Sequence, residues 1–177
     1  LIIGPSILFL ILERHALFAD MNTPQAILNA LFCAVTPRTA GFNTTDIASL
    51  SQSSQLLTII LMFIGGCPGS TAGGAKVTTI TVLILYLRSM LTRTDGVNIF
   101  KRRLEDEAVS KAAAVFTTHM LLAVAATFLI SMQQDLDLTV IVFDVVSAVS
   151  TVGMSTGITP HLVPGAKVIL IDRKSTV

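Results

Sequence analysis

Two glycine-centred pentapeptides stand 112 positions apart in the chain: Thr39-Ala40-Gly41-Phe42-Asn43 and Thr151-Val152-Gly153-Met154-Ser155. A central glycine takes backbone angles that turn a carbonyl out of line at little steric cost. A short run of such carbonyls can replace the hydration shell of a monovalent cation without a fixed charge that would trap it. The chemistry open to these residues is therefore ligation by main-chain oxygen. Each pentapeptide follows an apolar stretch of about eleven residues, roughly 16 Å as a helix, or half a bilayer. A half-span helix followed by a glycine turn is the layout of a re-entrant loop, and the partly negative helix C-terminus then faces the cation.

Both pentapeptides resemble the Thr-Val-Gly-Tyr-Gly loop of potassium-selective pores. The composition agrees with a membrane setting. Hydrophobic residues make up 52% of the chain and charged residues 13%, against about 25% charge in a soluble domain; the mean hydropathy is +0.76. The net charge of +1 indicates no partner, but six of the twelve Lys and Arg fall between Arg88 and Lys111. That clustering marks a cytoplasmic loop by the positive-inside rule. Nucleic-acid binding at Lys101-Arg102-Arg103 is disfavoured, because Glu105, Asp106 and Glu107 cancel its field. Cys33 and Cys67 form neither a disulfide framework nor a metal set, and read as small packing residues.

The elements that must hold the two loops can be traced along the chain. Residues 1–12 read as part of a transmembrane helix, and Glu13, Arg14, His15 and Asp20 as a polar loop. Residues 24–36 are a half-span pore helix, with Pro24 suited to its first turn; 37–46 is the loop and 49–55 a polar link. Residues 55–91 would be about 55 Å long as one helix, beyond the ~30 Å hydrocarbon core. Their middle, Gly65-Gly66-Cys67-Pro68-Gly69-Ser70-Thr71-Ala72-Gly73-Gly74-Ala75-Lys76, holds five Gly and one Pro, which do not continue a helix. This predicts half-helices over 56–64 and 77–87 around an intramembrane loop, a layout tolerated only inside protein or beside a watery cavity and a pointer to an ion path. Residues 88–111 read as a basic loop. Ala112–Met132 is one full span, with His119 read as packed and hydrogen-bonded. Residues 138–149 are the second pore helix, 150–159 the second loop, and 165–171 begin another apolar segment.

The strings Thr36-Pro37-Arg38-Thr39-Ala40-Gly41-Phe42-Asn43-Thr44, Met62 through Lys76 and Ser147 through Pro160 together resemble the Trk/Ktr/HKT superfamily of potassium uptake proteins, closest to the KtrB-type translocating subunit. The likeness runs to about Leu170. It implies an all-α integral membrane fold of repeated helix–pore loop–helix units. Residues 1–91 would be the third unit, 92–111 a cytoplasmic linker and 112–177 most of the fourth. With its start at Leu1 and its unfamiliar ending Ile171–Val177, the chain reads as a fragment.

The resemblance implies potassium uptake across the plasma membrane by a multi-pass protein, not an enzyme. K⁺ would be transported and bound through the backbone carbonyls of the two pentapeptides alone, with no cofactor; the sequence leaves coupling to Na⁺ open. It also implies that Gly65–Lys76 is a gate loop, that the full-length protein is a homodimer in the lipid bilayer, and that a cytoplasmic ring of nucleotide-binding subunits regulates it. Lys76 would either repel cations at that gate or snorkel to the interface. Arg38 is read as bracing its loop, and Asp144 as hydrogen-bonded to neighbouring backbone rather than attracting cations. Two rivals remain. A non-conducting helical scaffold explains the glycines but not the paired half-helices. A phosphate-binding ATPase loop would need Lys where Ala75 stands.

Overall fold

The apolar runs of the sequence fold as helices, and those that start at Gln52 and Leu138 are capped by the side chains of Ser51 and Asp137. The computed structural model describes residues 2–14, 16–19, 21–42, 47–66, 74–92, 98–99, 102–103 and 106–157. Among these residues six α-helices follow in order: α1 Ile3–Glu13, α2 Thr23–Val35, α3 Gln52–Phe63, α4 Val77–Thr92, α5 Asp106–Gln133 and α6 Leu138–Val149. Only α5, over Glu107–Gln133, is long and apolar enough among the described residues to cross a bilayer alone. The helices α2 and α6, of 13 and 12 residues, are half-span elements.

Several expected boundaries move, each for a local reason. Glu13, expected in a loop, is the last residue of α1 and is fully buried. The polar stretch 52–55, expected as a link, is the first turn of α3, because the Ser51 hydroxyl accepts from the Ser54 amide and caps the helix. The basic loop shrinks from both ends: α4 carries Arg88 to Thr92, and α5 starts at Asp106. An acidic first turn suits a helix N-terminus, and Glu107 pairs with Lys111 one turn on, at 2.7 Å. Between α4 and α5, Asn98–Ile99 (β1) and Arg102–Arg103 (β2) form a two-residue antiparallel pair, which nothing in the hydropathy pattern announces.

The break after Phe63 is real. Ile64 and Ala75 form an isolated parallel bridge; the Gly65 amide donates to the Ala75 carbonyl at 2.9 Å and the Val77 amide to the Gly66 carbonyl at 3.3 Å. The two ends of the Gly-rich segment are thus tied at a closed neck. Residues 67–73 of the expected gate loop lie outside the described residues, as do Asn43 and the apolar segment 165–171.

Helix α1 packs on α2 and α3, α5 packs on α4 and α6, and α3 joins the two halves through α6. One cluster fills each half: Phe9, Phe18, Ala30, Ala34 and Leu61, with Cys33 at its edge, in the first; Ala123, Ala126, Ile130, Ile141, Val145 and Val149 in the second. A third cluster bridges them and includes Met62, Phe143, Val152 and Met154. Outward-facing apolar rows remain, such as Ile3, Ile7 and Ile11 on α1 and Leu121, Val124, Phe128 and Met132 on α5. Continuous apolar surface of this kind marks contact with lipid or with further protein.

Candidate functional site: a paired cation-filter loop

The two pentapeptides take the same backbone shape. Thr39 and Thr151 have φ of 68° and 56° and are the only non-glycine residues with positive φ among the described residues. Two positions later Gly41 and Gly153 have φ of 71° and 84°. The residues between, Ala40 and Val152, are not among the positive-φ positions. Left-handed backbone costs a threonine roughly 1–2 kcal/mol, so its recurrence at both loops is a built feature rather than a turn by chance. Reversal of hand at alternate residues swings successive carbonyls toward one side, the arrangement that carbonyl ligation of a cation requires.

Each loop is moored to the end of its own half-helix. In the first, the amides of Ala40 and Gly41 donate to the Thr36 carbonyl at 3.2 and 3.4 Å, and the Arg38 amide to Val35 at 3.0 Å. In the second, the Thr151 amide donates to Ala148 at 3.2 Å and the Val152 amide to Ser147 at 2.9 Å.

The loops also meet. A Cβ placed on Gly41 would fall inside the van der Waals shell of the Val152 carbonyl oxygen, with Gly153 next nearest. Around Gly153 the space for a Cβ is open, and that glycine is exposed. The structure therefore brings together Thr39 to Phe42 and Thr151 to Ser155. It also brings the neck of the Gly-rich segment to them. Gly74, at φ 81°, would set a Cβ 3.3 Å from the Ser150 Cβ, one residue before the second loop. Lys76 is half-buried beside that neck and Arg38 half-buried beside the first loop.

Two residues whose full part the sequence reading misses are Asp144 and Ser147. Asp144 is buried, and its carboxylate accepts from the Ser155 hydroxyl at 2.9 Å, the Thr156 amide at 3.0 Å and the Thr156 hydroxyl at 3.2 Å. The buried Ser147 hydroxyl donates to the Met154 carbonyl. Both lie on one face of α6, three residues apart. The available signal was the repeat itself: the matching positions of the first half are Phe32 and Val35, so polar residues inside an otherwise apolar half-helix were the anomaly. Glu13 is a third. Its carboxylate accepts from the Ser51 amide at 3.0 Å and the Ser51 hydroxyl at 2.6 Å, holding the end of α1 to the start of α3. His119, on α5, pairs its Nδ1 with the Val115 carbonyl at 2.8 Å, as expected of a hydrogen-bonded residue.

A helical fold with two half-helices that present paired, glycine-centred loops is the architecture of a membrane cation transporter. The family model described as "TrkH: Cation transport protein" matches residues 1–172, and the chain belongs to that family. Its similar relatives include the potassium/sodium uptake protein NtpJ of Enterococcus hirae, 38% identical over 97% of this chain and 39% of the relative. The Ktr system potassium uptake protein B of Vibrio alginolyticus is 33% identical over 97% of this chain and 38% of its own length. Among solved structures, the potassium transporter TrkH from Vibrio parahaemolyticus superposes with a TM-score of 0.78 over 97% of this chain and 39% of that one, at 22% identity. The fold is thus shared, and the chain spans about two fifths of the length of the relatives it matches.

Proposed function

We propose that the chain supplies two of the filter segments of a potassium uptake pore in the plasma membrane. The carbonyls of Thr39, Ala40, Gly41 and Phe42 line one quarter and those of Thr151, Val152, Gly153 and Met154 another. The observation that carries the reading is the shared backbone of the loops, positive φ at Thr39 and Gly41 and again at Thr151 and Gly153, with the loops in contact. Residues 1–91 and 112–177 act as successive helix–loop–helix units on either side of the linker 92–111, and Gly65–Lys76 gates the path just below the filter. Asn43 and residues 67–73 belong to this reading by their place in the motifs. The complete transporter works as a homodimer under a cytoplasmic nucleotide-binding ring. The names of the Ktr relatives, uptake proteins of a system, support a multi-component assembly.

The test splices these 177 residues into the Enterococcus hirae relative in place of its matching segment. The chimera is expected to restore growth of potassium-starved cells, and the purified chimera to gain thermal stability in KCl beyond that in equimolar choline chloride. A chimera that reaches the membrane yet neither transports nor responds to K⁺ makes the chain a scaffold. A response to ATP instead of K⁺ revives the nucleotide-binding alternative.

A further inference from the structure

Among the described residues, the second loop is held by a bracket that has no counterpart at the matching helix positions of the first half. Asp144 takes three hydrogen bonds from Ser155 and Thr156, and Ser147 takes hold of the Met154 carbonyl. Together with the Val152 amide bonded to the Ser147 carbonyl, one face of α6 grips the loop at Val152, Met154, Ser155 and Thr156. The Val152 and Met154 side chains are buried behind it. At the matching places of α2 stand Phe32 and Val35, which offer no acceptor or donor, and Phe42, the counterpart of Met154, is 73% exposed. Instead, the first loop rests on the second, through Gly41 against the Val152 carbonyl.

We propose that Asp144, assisted by Ser147, is the positioning residue that sets ion selection at both loops. It holds the second loop directly and the first through the Gly41–Val152 contact. The proposal rests on the reading of these loops as filter segments. Selection of K⁺ over Na⁺ needs carbonyls that neither collapse onto the smaller ion nor rotate away, whether cavity size or ligand number is the deciding quantity. A buried carboxylate that accepts three bonds resists both motions, because each would strand it or its donors without partners. Asp144 does not meet the ion: its oxygens are taken up by Ser155 and Thr156 on the side of the loop nearer α6. It acts through hydrogen bonding, so an isosteric amide can replace much of it, since the amide oxygen still accepts from Thr156 while the Ser155 hydroxyl turns round to accept.

The experiment is carried out in the Enterococcus chimera, once the unsubstituted chimera is seen to transport, so a failure here leaves the filter reading standing. Relative uptake of K⁺, Rb⁺ and Na⁺ is measured for Asp144→Leu, Asp144→Asn, Ser147→Ala and Ser155→Ala. Asp144→Leu is expected to lower the K⁺ to Na⁺ ratio about tenfold, the effect of losing a hydrogen-bonded charge, while Asp144→Asn stays within about threefold of the parent. Ser147→Ala and Ser155→Ala should fall between. A merely structural role would reduce the amount of folded protein and leave the ratio alone. If Asp144→Leu does not reach the membrane, the two serine variants decide. Unchanged ratios in the variants that transport overturn the proposal. So does an equal loss for all three ions in Asp144→Asn and Asp144→Leu, which would mean that the charge attracts cations rather than holding the loop.

Discussion

Among the described residues each half of the molecule buries one carboxylate, and the two do different work. Glu13 ties the end of α1 to the cap of α3, accepting from Ser51 and from the Leu17 amide. Asp144 sits inside its half-helix and grips the last residue of the pentapeptide and the one that follows it. The buried carboxylate of the first half therefore secures helices, whereas that of the second secures a loop. Two copies of one sequence pattern can share a backbone and still divide the labour of keeping it.

The sharpest way to break this comparison is at the two glycines. In the chimera, Gly41→Ala should abolish potassium uptake, because the new Cβ meets the main-chain oxygen of Val152, which cannot move without moving the second loop. Gly153→Ala has open space and meets only the cost of a left-handed alanine, about 1–2 kcal/mol. It should retain measurable uptake at a reduced K⁺ to Na⁺ ratio. Equal loss in the two variants would remove the asymmetry between the loops.

Glu13→Ala should come next. Loss of a buried charge-assisted set leaves Ser51 and the α3 cap without their partner, at about 2–3 kcal/mol. The thermal midpoint of the chimera should fall while its ion ratio stays at the parent value. A changed ratio would mean that the first carboxylate also acts on a filter segment. Gly74→Ala should be milder, about 1–2 kcal/mol for the left-handed backbone, and Ser150→Gly should recover part of it by clearing the 3.3 Å approach. Additive losses in the double variant would show that the neck and the second loop are not coupled. The smallest effect is expected from Phe63→Leu. It removes an edge-to-face contact with Phe116 at 5.7 Å, worth about 0.5–1.5 kcal/mol, and should shift stability alone.

Much of this scaffold is legible from residue order. The run 138–149 folds as the helix its hydropathy predicts, because Asp137 caps its start and the Thr151 turn ends it. The break after Phe63 follows from five glycines and a proline, which no helix tolerates. The burial of Glu13 is not legible, since a charged residue beside Arg14 and a masking polar string looks like a loop until a serine 38 positions later arrives to bind it. The partners of Asp144 were hidden for a similar reason. They lie on the far side of a turn whose shape depends on a positive φ at Thr151, and threonine carries no local preference for that shape. The two-residue pair at 98–103 is set by main-chain geometry and has no side-chain pattern to reveal it.

The closed neck between Ile64 and Ala75 has a consequence for how the chain can change. The connection from α3 to α4 is made twice: once along the covalent backbone and once across the neck, through a bridge and two hydrogen bonds. The neck therefore holds the ends of α3 and α4 against each other by main-chain contacts in addition to the covalent link. The two ends from which the segment 67–73 departs are thus fixed side by side, so its span is set by the neck and not by the number of residues it contains.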